Sequence, residues 1–487
     1  MRTPLLLGSL AMALLASTAV RAQPAPVFNR IAAFPVVDNL PSDADRARKS
    51  VAEIVSASQD GRILVYANSE RDAFGFIDIA DPANPKPAGE IAVEGEPTSV
   101  TVLGAKAFVA VSTSKDKKAP SGYLGIVDIA TKRLEARCDL GGQPDSIASS
   151  HDGRFVAVAI ENERDEDLDK GKIPQLPAGD LKVFAIENGM PDCATMQRVS
   201  LTGLAAIAGD DPEPEFVDIN DRNEAVVTLQ ENNHIAIVNL ANGKIAHHFP
   251  AGTVNLDAVD SKRDGVISPT GHLENVAREP DAVRWLDSER FVTANEGDYQ
   301  GGSRGFTIFN RSGQVEWDSG NALEHLAISL GHYPEKRAGS KGVEPEGIEV
   351  ARFGDTTYIF VGMERASLVA VYRDRGPGKA PEYVQALPAG TAPEGLLAIP
   401  DRGLFVVASE ADDPKSGARS TITIYQRGSA PAAYPTIVSD KDGTGAPIAW
   451  GALSGLSVDP ANPAHLYAVT DSFYAQGKII SVDTAAM

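Results

Sequence analysis

One stretch decides the fold: Glu213-Pro-Glu-Phe-Val-Asp-Ile, the turn Asp221-Arg222-Asn223, Ala225-Val-Val-Thr, then Ile235-Ala-Ile-Val-Asn-Leu and Lys244-Ile-Ala-His-His-Phe. Each run is short, rich in β-branched residues and bounded by Asp, Asn or Gly, so each reads as a strand and not as a helix. The four runs make a meander of antiparallel strands, the last more polar than the rest. The opening recurs at Glu279-Pro-Asp-Ala-Val, Glu344-Pro-Glu-Gly-Ile and Ala392-Pro-Glu-Gly-Leu. Weaker copies stand at Glu96-Pro-Thr-Ser-Val and Gln143-Pro-Asp-Ser-Ile, and Val51-Ala-Glu-Ile-Val and Leu453-Ser-Gly-Leu-Ser-Val lack the proline. A four-stranded repeat of about 45 residues is the blade of a β-propeller. The reading is therefore an all-β chain forming a single propeller of four-stranded antiparallel blades. Starts near residues 51, 96, 143, 213, 279, 344, 392 and 453 count as eight blades, with seven the alternative. The last unit holds three strands, and Phe28-Asn-Arg-Ile-Ala-Ala-Phe is placed to supply its fourth and close the ring between the termini.

Ahead of this lies Met1-Arg2-Thr3-Pro4, an apolar run from Leu5 to Ala19, and Val20-Arg21-Ala22. A basic start, a short apolar stretch and small residues before a cut mark residues 1–22 as a cleaved export signal, leaving 23–487 as the propeller. No later stretch is apolar enough to span a bilayer, so no transmembrane segment is expected and a periplasmic or secreted monomer is. Loss of Arg2 and Arg21 takes the formal charge from −21 to −23. Such acidity repels nucleic acid and attracts cations. Cys138 and Cys193 fall near the outer edges of neighbouring repeats, where an oxidising compartment permits pairing without spacing alone deciding it.

In an antiparallel blade the start of the first strand and the end of the second share one face. The long insertions 162–179, 253–278 and 321–343 fall on it, as loops that carry function on a rigid scaffold do. Acids gather there too. First strands begin with Asp145, Glu215, Asp281, Glu346 and Glu394; second strands end with Glu70, Glu161, Glu231, Glu296 and Asp298, Glu364, Glu410 and Asp412, and Asp471. Hard oxygen donors from several strands suit calcium above other divalent metals, and Glu215, Glu231, Asp281, Glu296, Asp298, Glu346, Glu364, Glu394 and Glu410 are the candidate ligands. Each acid taken alone is better explained by strand-end hydrogen bonds or blade-to-blade ion pairs, and it is the collective pattern that points to metal. Asp257 to Gly265 and Asp440-Lys-Asp442-Gly443 echo the opening of a calcium loop but lack its distal glutamate, and ordinary Asp-Gly turns explain them.

Nucleophile elbows, His-Glu-x-x-His and phosphate-cradling glycine loops are missing from the sequence. His272, His325 and His332 lie in the loops of the acidic face as possible proton carriers, and Arg304 and Arg365 as possible anion partners. Two function classes follow. One is a divalent-metal-dependent phosphoester or ester hydrolase acting on a small anionic substrate through a metal-activated water, with a lactonase as a variant. The other is a non-catalytic periplasmic or surface propeller binding a protein, peptide or glycan.

Val226-Val-Thr-Leu-Gln-Glu-Asn-Asn-His-Ile-Ala-Ile-Val-Asn-Leu, Asp257-Ala-Val-Asp-Ser-Lys-Arg-Asp-Gly and Val292-Thr-Ala-Asn-Glu-Gly-Asp resemble the choice-of-anchor I group of bacterial surface and periplasmic propellers. The resemblance covers most of residues 50–430. The tail, Leu453-Ser-Gly-Leu-Ser-Val-Asp-Pro with Leu466-Tyr-Ala-Val-Thr-Asp-Ser, resembles the start of a phytase-like domain with esterase-like activity. On that resemblance residues 443–487 open a truncated second domain; on the strand count they are the last partial blade.

Overall fold

The computed structural model describes residues 26–429, 431–432 and 436–485, so the export signal read at 1–22 lies outside the described residues. Seven sheets follow the four-strand meander: 55–92, 96–139, 144–200, 214–250, 283–318, 345–388 and 393–428. The third carries one extra two-residue strand, Met190–Pro191. The seventh has three strands of its own, and Val27–Pro35 pairs antiparallel with Thr421–Gly428 as its fourth. First strands touch in chain order from sheet to sheet, and the first strand of the seventh sheet touches that of the first. Apolar side chains fill the spaces between neighbouring sheets, as in the cluster joining Val65, Phe74 and Phe76 to Val100, Val109 and Val127.

This corrects the count of eight units and the partner given to the N-terminal strand. Residues 453–483 form a separate three-stranded sheet, and Val27–Pro35 completes the seventh sheet instead. The reason is packing. Phe28 is fully buried with its ring 5.2–5.3 Å from those of Phe353, Tyr358 and Phe360, and its backbone exchanges hydrogen bonds with the Gln385 side chain at 2.7 and 3.0 Å. The C-terminal sheet, by contrast, leaves Leu456 69% and Ile479 80% exposed. A blade buried between neighbours would cover those side chains, each worth about 1.5–3 kcal/mol when fully buried.

The long insertions make their own small structures. Thr253–Val259 pairs with Gly271–Ala277 as a hairpin, and Ala322–Ser329 is an α-helix whose Leu323, Ala327 and Ile328 pack on the fifth and sixth sheets. Cys138 and Cys193 form a disulfide, with Cα atoms 5.3 Å apart, tying the outer strand of the second sheet to the rim of the third.

Candidate functional site: the acidic channel mouth

The Pro-acid motif is a β-bulge. Register between first and second strands slips between Pro97 and Ser99, Pro144 and Ile147, Pro214 and Val217, Pro345 and Ile348, and Pro393 and Leu396. A bulge inserts a residue and re-aims its side chain. The residue it releases is Thr98, Asp145, Glu215, Glu346 or Glu394, and Glu53 and Asp281 hold the matching place in the first and fifth sheets. Asp145, Glu215, Asp281, Glu346 and Glu394 together line one cavity of about 80 Å³ on the channel. Above it a cavity of about 320 Å³ shares Asp145 and Glu215 and adds Glu161, Glu231, Glu296 and Asp298.

Crowding on this scale raises carboxyl groups above their ordinary range. Burial is the largest cause throughout and neighbouring carboxylates add to it. Glu53 and Glu364 are pushed up to about 8, both by burial and then, against the opposing pull of Ser69 and of Arg365 respectively, by acids such as Glu410. Asp145 rises to about 7 through burial. Glu161, Glu215, Glu231, Asp281, Glu346 and Glu394 are all raised well above normal, by burial first and by neighbouring carboxylates second. Glu410 hydrogen-bonds Glu364 across adjacent sheets, so the two carboxyl groups sit side by side.

Two loop cations enter the mouth, and nothing in their irregular loops marks them out in the sequence. Arg164, from the 162–179 insertion, places Nη1 2.6 Å from Glu231 Oε1 and Nη2 against Asp298. Lys341, at the end of the 321–343 insertion, places Nζ 2.9 Å from Glu296 Oε1 and 3.2 Å from Asp298 Oδ1. Asp298 is therefore lowered despite its burial. Arg365 reaches Glu364 at 2.8 Å and Glu344 at 2.5 Å, and at the rim Lys49 pairs with Glu70 at 2.8 Å and also draws on Glu410.

The first acid of the motif does different work. Glu279 accepts the backbone N–H of Asp298 at 2.9 Å and of Gln300 at 2.7 Å, and Glu344 takes Arg337 and Arg365; both residues have positive φ, 42° and 49°. They are struts for the loops. Glu213 is fully buried and raised to about 8 by burial and Asp211.

Several sequence candidates stand away from the mouth. Arg304 is buried, holds the carbonyls of Asp260, Ala338 and Ser340 at 2.8–2.9 Å and pairs with the buried Glu324 at 3.5 Å, so it braces loops away from the mouth. His325 and His332 each bond a backbone carbonyl, of Ala258 at 2.7 Å and Ala366 at 2.9 Å, and His272 pairs with Asp257 on the exposed hairpin. Asp412 caps the backbone of Ser50 and Ser420 and pairs with Arg419. Asp471 is exposed on the separate C-terminal sheet. The Asp260 and Asp442 loops spend their carboxylates on their own backbone, at 3.0 Å to Ser268 N and 2.8 Å to Thr444 N. Glu53, Arg164 and Lys341 were missed: Glu53 because its repeat copy lacks the proline, the two cations because only their loops were legible. Among the described residues no three His, Cys, Asp or Glu gather closely enough to hold one metal ion.

The sequence profile of the choice-of-anchor I domain matches residues 53–301 and 299–377. The chain belongs to the choice-of-anchor I family. The matched span contains the ring from Glu53 to Glu364 and stops before the C-terminal tail, leaving the phytase-like resemblance there without support. No curated protein matches the chain. Among solved structures, the WD40 repeats of RRP9 align at TM-score 0.52 and 9% identity, over 78% of this chain and 95% of that one. U3-55K aligns at TM-score 0.51 and 9% identity, over 77% and 95%. At such identity these likenesses show the propeller fold alone. Kuenenia stuttgartiensis hydrazine synthase also aligns, at TM-score 0.49 and 14% identity over 78% and 98% of the two chains. Membership in this family fits an exported or surface protein, and no helix among the described residues is long and apolar enough to cross a membrane.

Proposed function

We propose that this choice-of-anchor I chain is an exported, non-catalytic binding propeller that draws a cationic group of its ligand or partner into the acidic mouth. The observation that carries this reading is the way the chain treats its own cations. Where a loop reaches the ring, it delivers a guanidinium or an ammonium, as Arg164 and Lys341 do. The arc of Glu346, Glu364, Glu394, Glu410 and Glu53 has, among the described residues, Arg365 at its edge and Lys49 at the rim near Glu410. A partner group of the same chemistry completes the pattern. The periplasm or the outside of the cell, where the disulfide is stable, is the proposed location.

The test is thermal melting of the full chain with added calcium chloride, spermine or sodium phosphate. Stabilisation by cations and none by phosphate supports the reading, since whatever binds the folded state alone raises its stability. No cation effect would overturn it.

One contact favours a second reading, a calcium-dependent phosphoester or ester hydrolase. Glu364 and Glu410 meet carboxyl to carboxyl, the arrangement a divalent ion bridges; Glu215, Glu231, Asp281, Glu296, Asp298, Glu346 and Glu394 are the further candidate ligands of that reading. Turnover of para-nitrophenyl phosphate or acetate that appears with calcium and vanishes with chelator would establish that reading in place of the first.

A further inference from the structure

We infer that the ligand of the mouth is a linear oligoamine, with several ammonium groups spaced by short methylene chains, laid across the ring of carboxylates. The inference rests on the cation-binding reading above and specifies its ligand. The upper cavity, about 320 Å³, is lined by nine carboxylates and a single guanidinium. That volume lies at the lower end of small-molecule sites, about 300–1,000 Å³. Calcium wants six to eight oxygens converging at about 2.3–2.6 Å. Here the carboxylates come from first strands, second-strand ends and loops around a channel, and among the described residues no three of them gather as one ion's ligands. Negative charge spread along a path is matched by positive charge spread along a chain.

Two side chains show that the ring is built for a guest. Glu161 is 7% exposed and Asp281 8% exposed, and neither carboxylate makes a hydrogen bond or an ion pair with any described residue; both line the cavities. A buried charge without a partner is strongly disfavoured, so these two carboxyl groups either keep their protons or take up a cation from outside. Lys341 shows which cation suits: its ammonium already sits between Glu296 and Asp298 at 2.9 and 3.2 Å, using two of its three donors. An ammonium near Glu161 and another near Glu364 and Glu394 repeat that contact elsewhere on the ring. A free polyamine and the lysine side chains of a partner peptide share this chemistry.

The test is calorimetric titration of the full chain at about pH 7.5 with spermine, putrescine, tetralysine and calcium chloride, in two buffers of different ionisation enthalpy so that proton release is counted. Spermine is expected to bind about tenfold or more tighter than putrescine, because linked ammonium groups bind as one. Proton release should accompany it. The double variant Glu364→Gln, Glu394→Gln is expected to weaken spermine about tenfold, and Glu161→Gln serves as a second probe should the double variant melt early. Tetralysine that displaces spermine and binds tighter supports the inference and assigns the amines to a partner's lysines. Calcium binding that exceeds spermine, with spermine no better than putrescine, overturns the oligoamine and leaves the cation-binding mouth standing. Absence of binding by every cation overturns both.

Discussion

The two arcs of the channel mouth carry the same carboxylates and solve their repulsion differently. Across the third, fourth and fifth sheets, Arg164 and Lys341 reach in from long insertions and pair with Glu231, Glu296 and Asp298. Across the sixth, seventh and first sheets, Glu346, Glu364, Glu394, Glu410 and Glu53 have Arg365 beside them and Lys49 at the rim, and they crowd one another. The first arc is held in part by the chain itself, with Glu161 and Asp281 left outside those pairs. The second keeps protons near neutral pH or waits for a cation from outside. The repeat builds a ring of like charge, and the loops decide which part of it remains open to a ligand.

Removing Arg164 should break the comparison most strongly. Arg164→Ala leaves Glu231 and its neighbours as buried charges without a partner, at a cost of about 3–5 kcal/mol in chemical denaturation. The loss should shrink in mild acid, where the carboxyl groups take up protons instead. An unchanged midpoint would mean that the first arc needs no cation. Lys341→Ala comes next, because its ammonium is less enclosed; about 1.5–3 kcal/mol is expected from the charged hydrogen bonds it gives up. Its loss should also open a second place for an added amine, seen as a higher stoichiometry in calorimetry. The smallest effect belongs to the second arc. Glu394→Gln removes one of several crowded acids, and the melting temperature should rise by about 1–3 °C at slightly alkaline pH. A fall there would show that Glu394 already has a favourable partner.

Much of this was legible in the sequence, and what was not has a physical reason. The period of the Pro-acid motif placed Asp145, Glu215, Asp281, Glu346 and Glu394 on one level, and at all but Asp281 a bulge after the proline re-aims the acid that follows it. The number of four-stranded sheets was misread because the C-terminal unit repeats the strand pattern without the stacking: Leu456 and Ile479 alternate like core residues yet remain exposed. Pairing of Val27–Pro35 with Thr421–Gly428 joins residues nearly 400 apart, and only Phe28, seated among Phe353, Tyr358 and Phe360, makes the choice. Arg164 and Lys341 sit in irregular loops, where no periodicity says which side chain turns inward. The histidines were misplaced for the opposite reason: they lie in the right loops but bond backbone carbonyls.

The central claim is that the open arc is a set of carboxyl groups raised by burial and mutual repulsion, and thermal melting across pH tests it most directly. Glu53 and Glu364 titrate near 8 when folded, far above their range in the unfolded chain, so the folded state binds more protons between those limits. Stability is then greatest in mild acid and falls as pH rises from about 5 to about 8, because the unfolded chain ionises first. Spermine should flatten that fall by replacing the protons. A melting temperature that stays level or climbs over this interval without any added cation would contradict the claim.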